Sequence, residues 1–119
     1  MMGELGAETI YYLNHIVAQP GQGKALLDLY MTSYVPKAKS RGMVLAHRWV
    51  TPPLWLEGQS NELFIIWTVQ GVAAWWAATR MRRKDPDLIS FWAEALPLIA
   101  KRQRLYLSDV DDVASLCSV

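Results

Sequence analysis

The chemistry this chain can offer rests on two histidines, one strand-borne asparagine and an excess of tryptophan. Imidazole titrates near neutrality, so His15 and His47 are the candidate general bases. His47, followed by Arg48 and Trp49, is the stronger of the two; the bland alternative is a satisfied structural histidine, since no acid partner is visible. Asn14 lies in an apolar run where asparagine is depleted by propensity. Its amide can hold the oxygen of a ligand or intermediate, or it can satisfy a neighbouring backbone group or water. The six tryptophans exceed what a small core uses for packing, because each indole N–H needs a partner when buried. They point to an aromatic-lined ligand cavity, to an oligomer interface, or to both.

The elements that must position these residues follow from periodicity. Residues 9–18 are rich in β-branched and aromatic side chains and end at Gln19-Pro20-Gly21, a strand and its turn. Alternation puts Tyr12, Asn14 and Ile16 on one face and Tyr11, Leu13, His15 and Val17 on the other. From 23 to 41 the period becomes helical, with Leu27, Tyr30, Met31, Tyr34 and Ala38 as the apolar stripe and a kink expected at Pro36. Residues 43–51 and 62–69 are the second and third strands, the third being the most apolar and hence central. Next come a helix over 72–84, carrying Trp75 and Trp76, and another that starts at Asp85-Pro86-Asp87, a cap residue followed by proline at the first helical position. The stripe of that last helix, Leu88, Phe91, Trp92, Ala95, Leu96 and Ile99, runs through a bend at Pro97. Residues 104–110 form a fourth strand, and the remainder is a tail.

The order β-α-β-β-α-α-β with right-handed crossovers predicts an α+β, ferredoxin-like domain spanning 1–119, with a four-stranded antiparallel sheet and helices on one side. Its strands look apolar on both faces, so the uncovered face calls for a second copy, a homodimer.

Composition narrows the functions. Twelve basic against eleven acidic residues leave a net charge of +1, too little cationic excess for a dedicated nucleic-acid binder. A single cysteine, Cys117, excludes an intrachain disulfide and suits a reducing, cytoplasmic setting. The acidic first residues do not make a leader, and the uncharged stretch 63–79, broken by Thr68, Gln70 and Gly71, is not a membrane span. Gly21-Gln22-Gly23-Lys24 invites a phosphate loop, but Leu26 stands where a dinucleotide loop needs glycine, and Ala18 and Ala25 break a Walker pattern. No histidine–acid spacing suggests a metal site, and no cofactor is expected. The basic run Arg80 to Lys84 reads as a solvated helix end, with an anionic ligand as its minor alternative.

Taken together, YYLNHIVAQPGQGKALLDLY and NELFIIWTVQGVAAWWAATRMRRKDPDLISFWAEALPLIAKRQRLYL resemble the dimeric α+β barrel superfamily, and within it the NIPSNAP-like proteins. The resemblance covers about residues 10–108, and it is the order of weak motifs, ending in Glu94-Ala95-Leu96-Pro97-Leu98, that carries it. It implies a pocket between sheet and helices, but no single reaction: members include cofactor-free monooxygenases, lactone isomerases and heme-degrading enzymes. In heme-degrading members a strand asparagine and a helix tryptophan line that pocket. Asn14 and Trp76 resemble them, while the later helix lacks the histidine those members use for iron.

The expected function is therefore a small cofactor-independent enzyme, of monooxygenase or isomerase type, acting on a hydrophobic aromatic or polycyclic molecule. His47 or His15 would remove a proton and Asn14 would stabilise the resulting oxyanion. Tyr12, Trp49, Trp55, Trp76, Phe91 and Trp92 would line the site, one of Trp75 and Trp76 packing in the core and the other rimming the pocket. Trp55, in the loop after Pro52-Pro53, would act as a lid or clip the loop down. The rival reading is a non-catalytic ligand-binding or assembly protein.

Overall fold

The computed structural model describes residues 8–117; residues 1–7, most of the segment on which the leader expectation rests, and the last two residues of the tail lie outside them. The first half runs β1 (Thr9–Ala18), α1 (Gly23–Leu29), a π-helical turn (Tyr30–Tyr34), α2 (Val35–Ser40) and β2 (Val44–Thr51). The second half runs β3 (Glu62–Gln70), α3 (Gly71–Arg83), α4 (Pro86–Ala95), a 3-10 turn (Leu96–Leu98) and β4 (Ile99–Leu107). A second 3-10 turn (Val110–Asp112) and α5 (Val113–Cys117) close the described chain. The strands form one antiparallel sheet in the order β2-β3-β1-β4, so β1 and β3 are central and the layout is the ferredoxin-like one.

Register shows how the sheet sorts its side chains. Tyr12 pairs with Trp67 and Tyr106, Asn14 with Ile65 and Arg104, and Ile16 with Leu63 and Arg102. These positions share the helix-covered face, because directly opposed residues of a pleated sheet point the same way. On it, Ile16, Leu63, Ile65 and Trp67 join Leu26, Tyr30, Tyr34, Val35, Ala38, Phe91 and Ala95 in one buried core. Leu26 is the fully buried leucine of α1, with Leu27, the residue expected there, packed partly buried beside it.

Three local expectations are corrected. Proline at 36 does not simply kink the helix. It lacks the N–H that would reach Thr32, and the chain absorbs the defect by widening to π geometry over Tyr30–Tyr34, with the Val35 N–H donating to the Tyr30 carbonyl. Pro97 likewise ends α4 rather than bending it: the helix stops at Ala95, and Ile99 belongs to a strand. The fourth strand therefore occupies Ile99–Leu107 rather than 104–110. Its polar start, Lys101 to Arg104, disguises it, but β4 is an edge strand and long charged side chains suit that position. The Arg102 guanidinium lies 3.7 Å above the Trp92 ring. The helix start at Asp85 is as expected, with its carboxylate accepting from the Asp87 N–H at 2.9 Å.

Two glycines in left-handed conformation separate backbone strain from steric conflict. A Cβ on Gly21, at φ 76°, would stand 2.4 Å from the Glu57 carbonyl oxygen, whereas one on Gly42, at φ 87°, would meet open space. Gly21→Ala is expected to cost about 2–3 kcal/mol, and Gly42→Ala only the backbone penalty of about 1 kcal/mol. Urea denaturation of the two variants checks the difference; equal losses would show that the turn yields freely at Glu57.

Candidate functional site

Asn14 sits fully buried in the middle of β1, and its partner is inside the protein. Its Nδ2 donates to the Tyr30 hydroxyl at 2.7 Å, and the Trp67 indole N–H donates to the same oxygen at 2.7 Å. The amide oxygen is buried without a partner. Turning the amide over would give the Tyr30 hydroxyl an acceptor, and in either orientation one end of the amide stays unpaired. This arrangement exists because the π turn sets Tyr30 directly over the paired strands β1 and β3. Burial, then the neighbouring Tyr34, pushes the Tyr30 phenol well above its ordinary range. The Tyr34 phenol is raised as well, again by burial first and then by Tyr12. Neither is a proton acceptor at neutral pH.

Phe91 and Trp92 complete a filled aromatic cluster rather than a cavity wall. Tyr30 stacks on Tyr34 with centroids 4.6 Å apart, and Phe91 lies 5.4 Å from Tyr34 and 4.7 Å from Trp92. Interlocking rings at these spacings are core packing.

A half-open cleft lies next to this cluster, where α3 crosses the sheet. Tyr12 and Tyr106, stacked at 5.2 Å, form its floor together with Val69. Trp75, Ala78, Thr79 and Arg82 come down from α3, and Tyr34, Arg41 and Met43 close the side at the turn between α2 and β2. Trp75 meets Tyr106 edge-on at 5.5 Å. The void measures about 370 Å³ with its open mouth, of which about 20 Å³ admits the centre of a water-sized sphere. The inner space thus holds about one water molecule, and a ring would have to sit at the open mouth.

Of the residues expected at the site, only Tyr12 lines this cavity. His15 is on the opposite face, stacked on Phe64 at 4.4 Å and hydrogen-bonded through Nε2 to Glu62 at 2.7 Å. His47, paired with Ile66, shares that open face and stacks on Trp49 at 4.5 Å. The sheet thus separates both imidazoles from the cavity. Trp76 points outward at 46% exposure, and the adjacent Trp75 takes the inward position: two neighbours about 100° apart cannot both face the sheet. Trp55 borders a separate groove with Trp49, Arg48 and Leu27, about 400 Å³ with its open mouth, of which about 160 Å³ admits the centre of a water-sized sphere. Its loop is clipped down by the buried Asn61, whose amide accepts from the Leu56 N–H at 2.9 Å and donates to the Leu54 carbonyl at 2.8 Å. Among the described residues, no group of three or more His, Cys, Asp or Glu stands close enough to hold a metal, and no helix is long and apolar enough to cross a membrane.

Sequence reasoning left Trp75 and Trp76 as alternatives and missed Tyr106, Tyr34 and Arg41 as lining residues. Tyr106 shares a face with Tyr12 across β1 and β4, but only the true start of β4 brings the two together.

No family model matches the sequence, and no curated protein matches it. Among solved structures, an uncharacterized NIPSNAP domain protein from Burkholderia xenovorans superimposes with a TM-score of 0.69 at 13% identity, covering 85% of this chain and 94% of its own. A NIPSNAP family protein from Agrobacterium tumefaciens gives 0.69 at 14% identity, covering 92% and 93%. A protein from Caulobacter crescentus, provisionally assigned as an antibiotic biosynthesis monooxygenase, gives 0.57 at 14% identity, covering 89% and 93%. Likeness at these identities establishes the fold and no more.

Proposed function

We propose that this chain, which has the NIPSNAP-like form of the ferredoxin-like α+β fold, binds a small hydrophobic aromatic molecule between its sheet and α3 and works as a homodimer. The observation that carries this reading is the cavity walled by the rings of Tyr12, Tyr34, Trp75 and Tyr106. Tyr12 and Tyr106 already stack on each other, so a planar ring would extend that stack at the open mouth rather than slot between the walls.

The lining favours binding over the proton abstraction expected from the sequence. Neither histidine reaches the cavity, no carboxylate lines it, and burial holds the proton on the Tyr34 phenol. Cofactor-independent turnover there would rest on stabilising a ligand that arrives already ionised. The provisional assignment of the Caulobacter neighbour supports including oxygen uptake in the assay.

The homodimer rests on the uncovered face of the sheet. Tyr11, Trp49, Leu105 and Leu107 are exposed there, around Leu13, Phe64 and Ile66. A second copy covers such an apolar face by two-fold symmetry. Sedimentation should give twice the 13.5 kDa chain mass, and Phe64→Glu should halve it.

The test of function is a titration with phenols, quinols and monocyclic aromatic acids, followed by tryptophan fluorescence and oxygen consumption. Saturable quenching is expected, abolished by Trp75→Ala and untouched by Trp76→Ala. Lack of quenching by every ligand would overturn the cavity reading. Oxygen uptake on ligand addition would move the reading from binding to catalysis.

A further inference from the structure

We infer that the ligand of this cavity is an anion, a planar ring bearing a carboxylate or a comparable ionised oxygen pair, held by the guanidinium of Arg41 with Arg82 beside it. The inference rests on the cavity reading above and adds the charge and the polar end of the ligand.

Arg41 follows α2, just before the Gly42 turn, and lines the cavity. Its side chain is 3% exposed, yet Nε, Nη1 and Nη2 are all buried without a hydrogen-bond partner. A guanidinium carries five N–H donors and stays charged at any physiological pH. A charge so buried is costly unless it is paired and hydrogen-bonded. Asp85 supplies a counter-charge as its ion-pair partner, but no hydrogen bond. Asp85 Oδ2 stands 3.7 Å from Nη1, beyond hydrogen-bond length, while Asp85 Oδ1 is committed to the N-terminus of α4. The Tyr34 ring, 5.7 Å from the Arg41 Cζ, addresses a face of the guanidinium and none of its in-plane donors.

Water does not meet the need either. The space open to water centres, about 20 Å³, holds about one molecule. One water can accept from at most two of the five donors. A carboxylate offers two oxygens in the geometry of the guanidinium fork, and so the in-plane hydrogen bonds that Asp85 does not make. Arg82 contributes a second cation from α3, and no acidic residue lines the cavity to compete. The same wall that accepts a ring thus ends in an unsatisfied cationic fork.

Benzoate and its uncharged isostere benzamide, titrated into the wild-type protein by calorimetry and tryptophan fluorescence, separate the two claims. Benzoate is expected to bind at least tenfold more tightly than benzamide. Arg41→Met should reduce benzoate to the level of benzamide and leave benzamide unchanged, with circular dichroism reporting the fold. If Arg41→Met does not fold, Arg82→Met should weaken benzoate severalfold without affecting benzamide, and raising the salt concentration should act on benzoate alone. Equal affinity for the two ligands would overturn the anion inference while leaving the cavity standing. A benzoate preference that survives both arginine substitutions would overturn it as well. Failure of both ligands to bind would overturn the inference and the cavity reading together.

Discussion

Tyr30→Phe, the loss of a single oxygen atom, is expected to destabilise the chain by about 2–4 kcal/mol. That oxygen accepts from the Asn14 amide and from the Trp67 indole at 2.7 Å each, and both donors belong to fully buried residues. Removing it strands two donors away from water, and each unmet donor costs about 1–3 kcal/mol. The ring itself remains, so its stacking on Tyr34 is kept and no cavity opens. Adding Asn14→Leu should recover part of the loss, because replacing both partners of a hydrogen bond costs less than orphaning one. Urea denaturation of the single and double variants measures this; a loss under about 0.5 kcal/mol would mean that the amide and indole have other partners. Tyr30 does not line the cavity, so the folded variant should retain the ligand binding of the wild type.

Stability should fall steeply once the pH rises above about 10. The phenols of Tyr30 and Tyr34 are both raised, by burial first, with Tyr34 adding to the shift of Tyr30 and Tyr12 to that of Tyr34. A raised pKa means that the folded chain holds protons the unfolded chain has already released. The stabilisation is therefore complete below the ordinary phenol value and is lost as pH climbs from there toward the folded-state values. In that window each phenol removes about 1.4 kcal/mol per pH unit, or about 2.7 kcal/mol for the pair. Thermal melts across the alkaline range, read beside phenolate absorbance, give the answer. Of the five tyrosines, two should ionise only as the fold is lost. Ionisation of all five in one step within a folded protein would contradict the buried cluster.

The two predictions concern residues that were legible to different degrees. Alternation along β1 put Asn14 and His15 on opposite faces, as the register has them, but left open which face the helices cover. Element order led to the ferredoxin-like sheet, and Asp85-Pro86 marked the start of α4. These features are local: a period of two sorts faces, and a cap with proline begins a helix, whatever the remainder of the chain does.

What Asn14 does was not legible. It could have faced a ligand, and the π turn at Tyr30–Tyr34 instead brings a hydroxyl onto it. Trp75 and Trp76 were equivalent in the sequence until α3 settled on the sheet and turned Trp75 inward. Polar residues hid the start of β4 until its pairing with β1 defined it, and that pairing carried Tyr106 to Tyr12. His47 looked the better base until β2, bulged between Leu45 and His47, set it on the open face.

The sequence by itself determined which elements form, their order, and which residues of a strand share a face, because those depend on interactions between near neighbours in the chain. The tertiary structure decided which face becomes a cavity, which tryptophan enters it and which arginine is left buried with its donors free. Those outcomes depend on contacts between residues far apart in sequence, such as Tyr12 with Tyr106 and Arg41 with Tyr34, whose geometry exists only once the sheet and helices have packed.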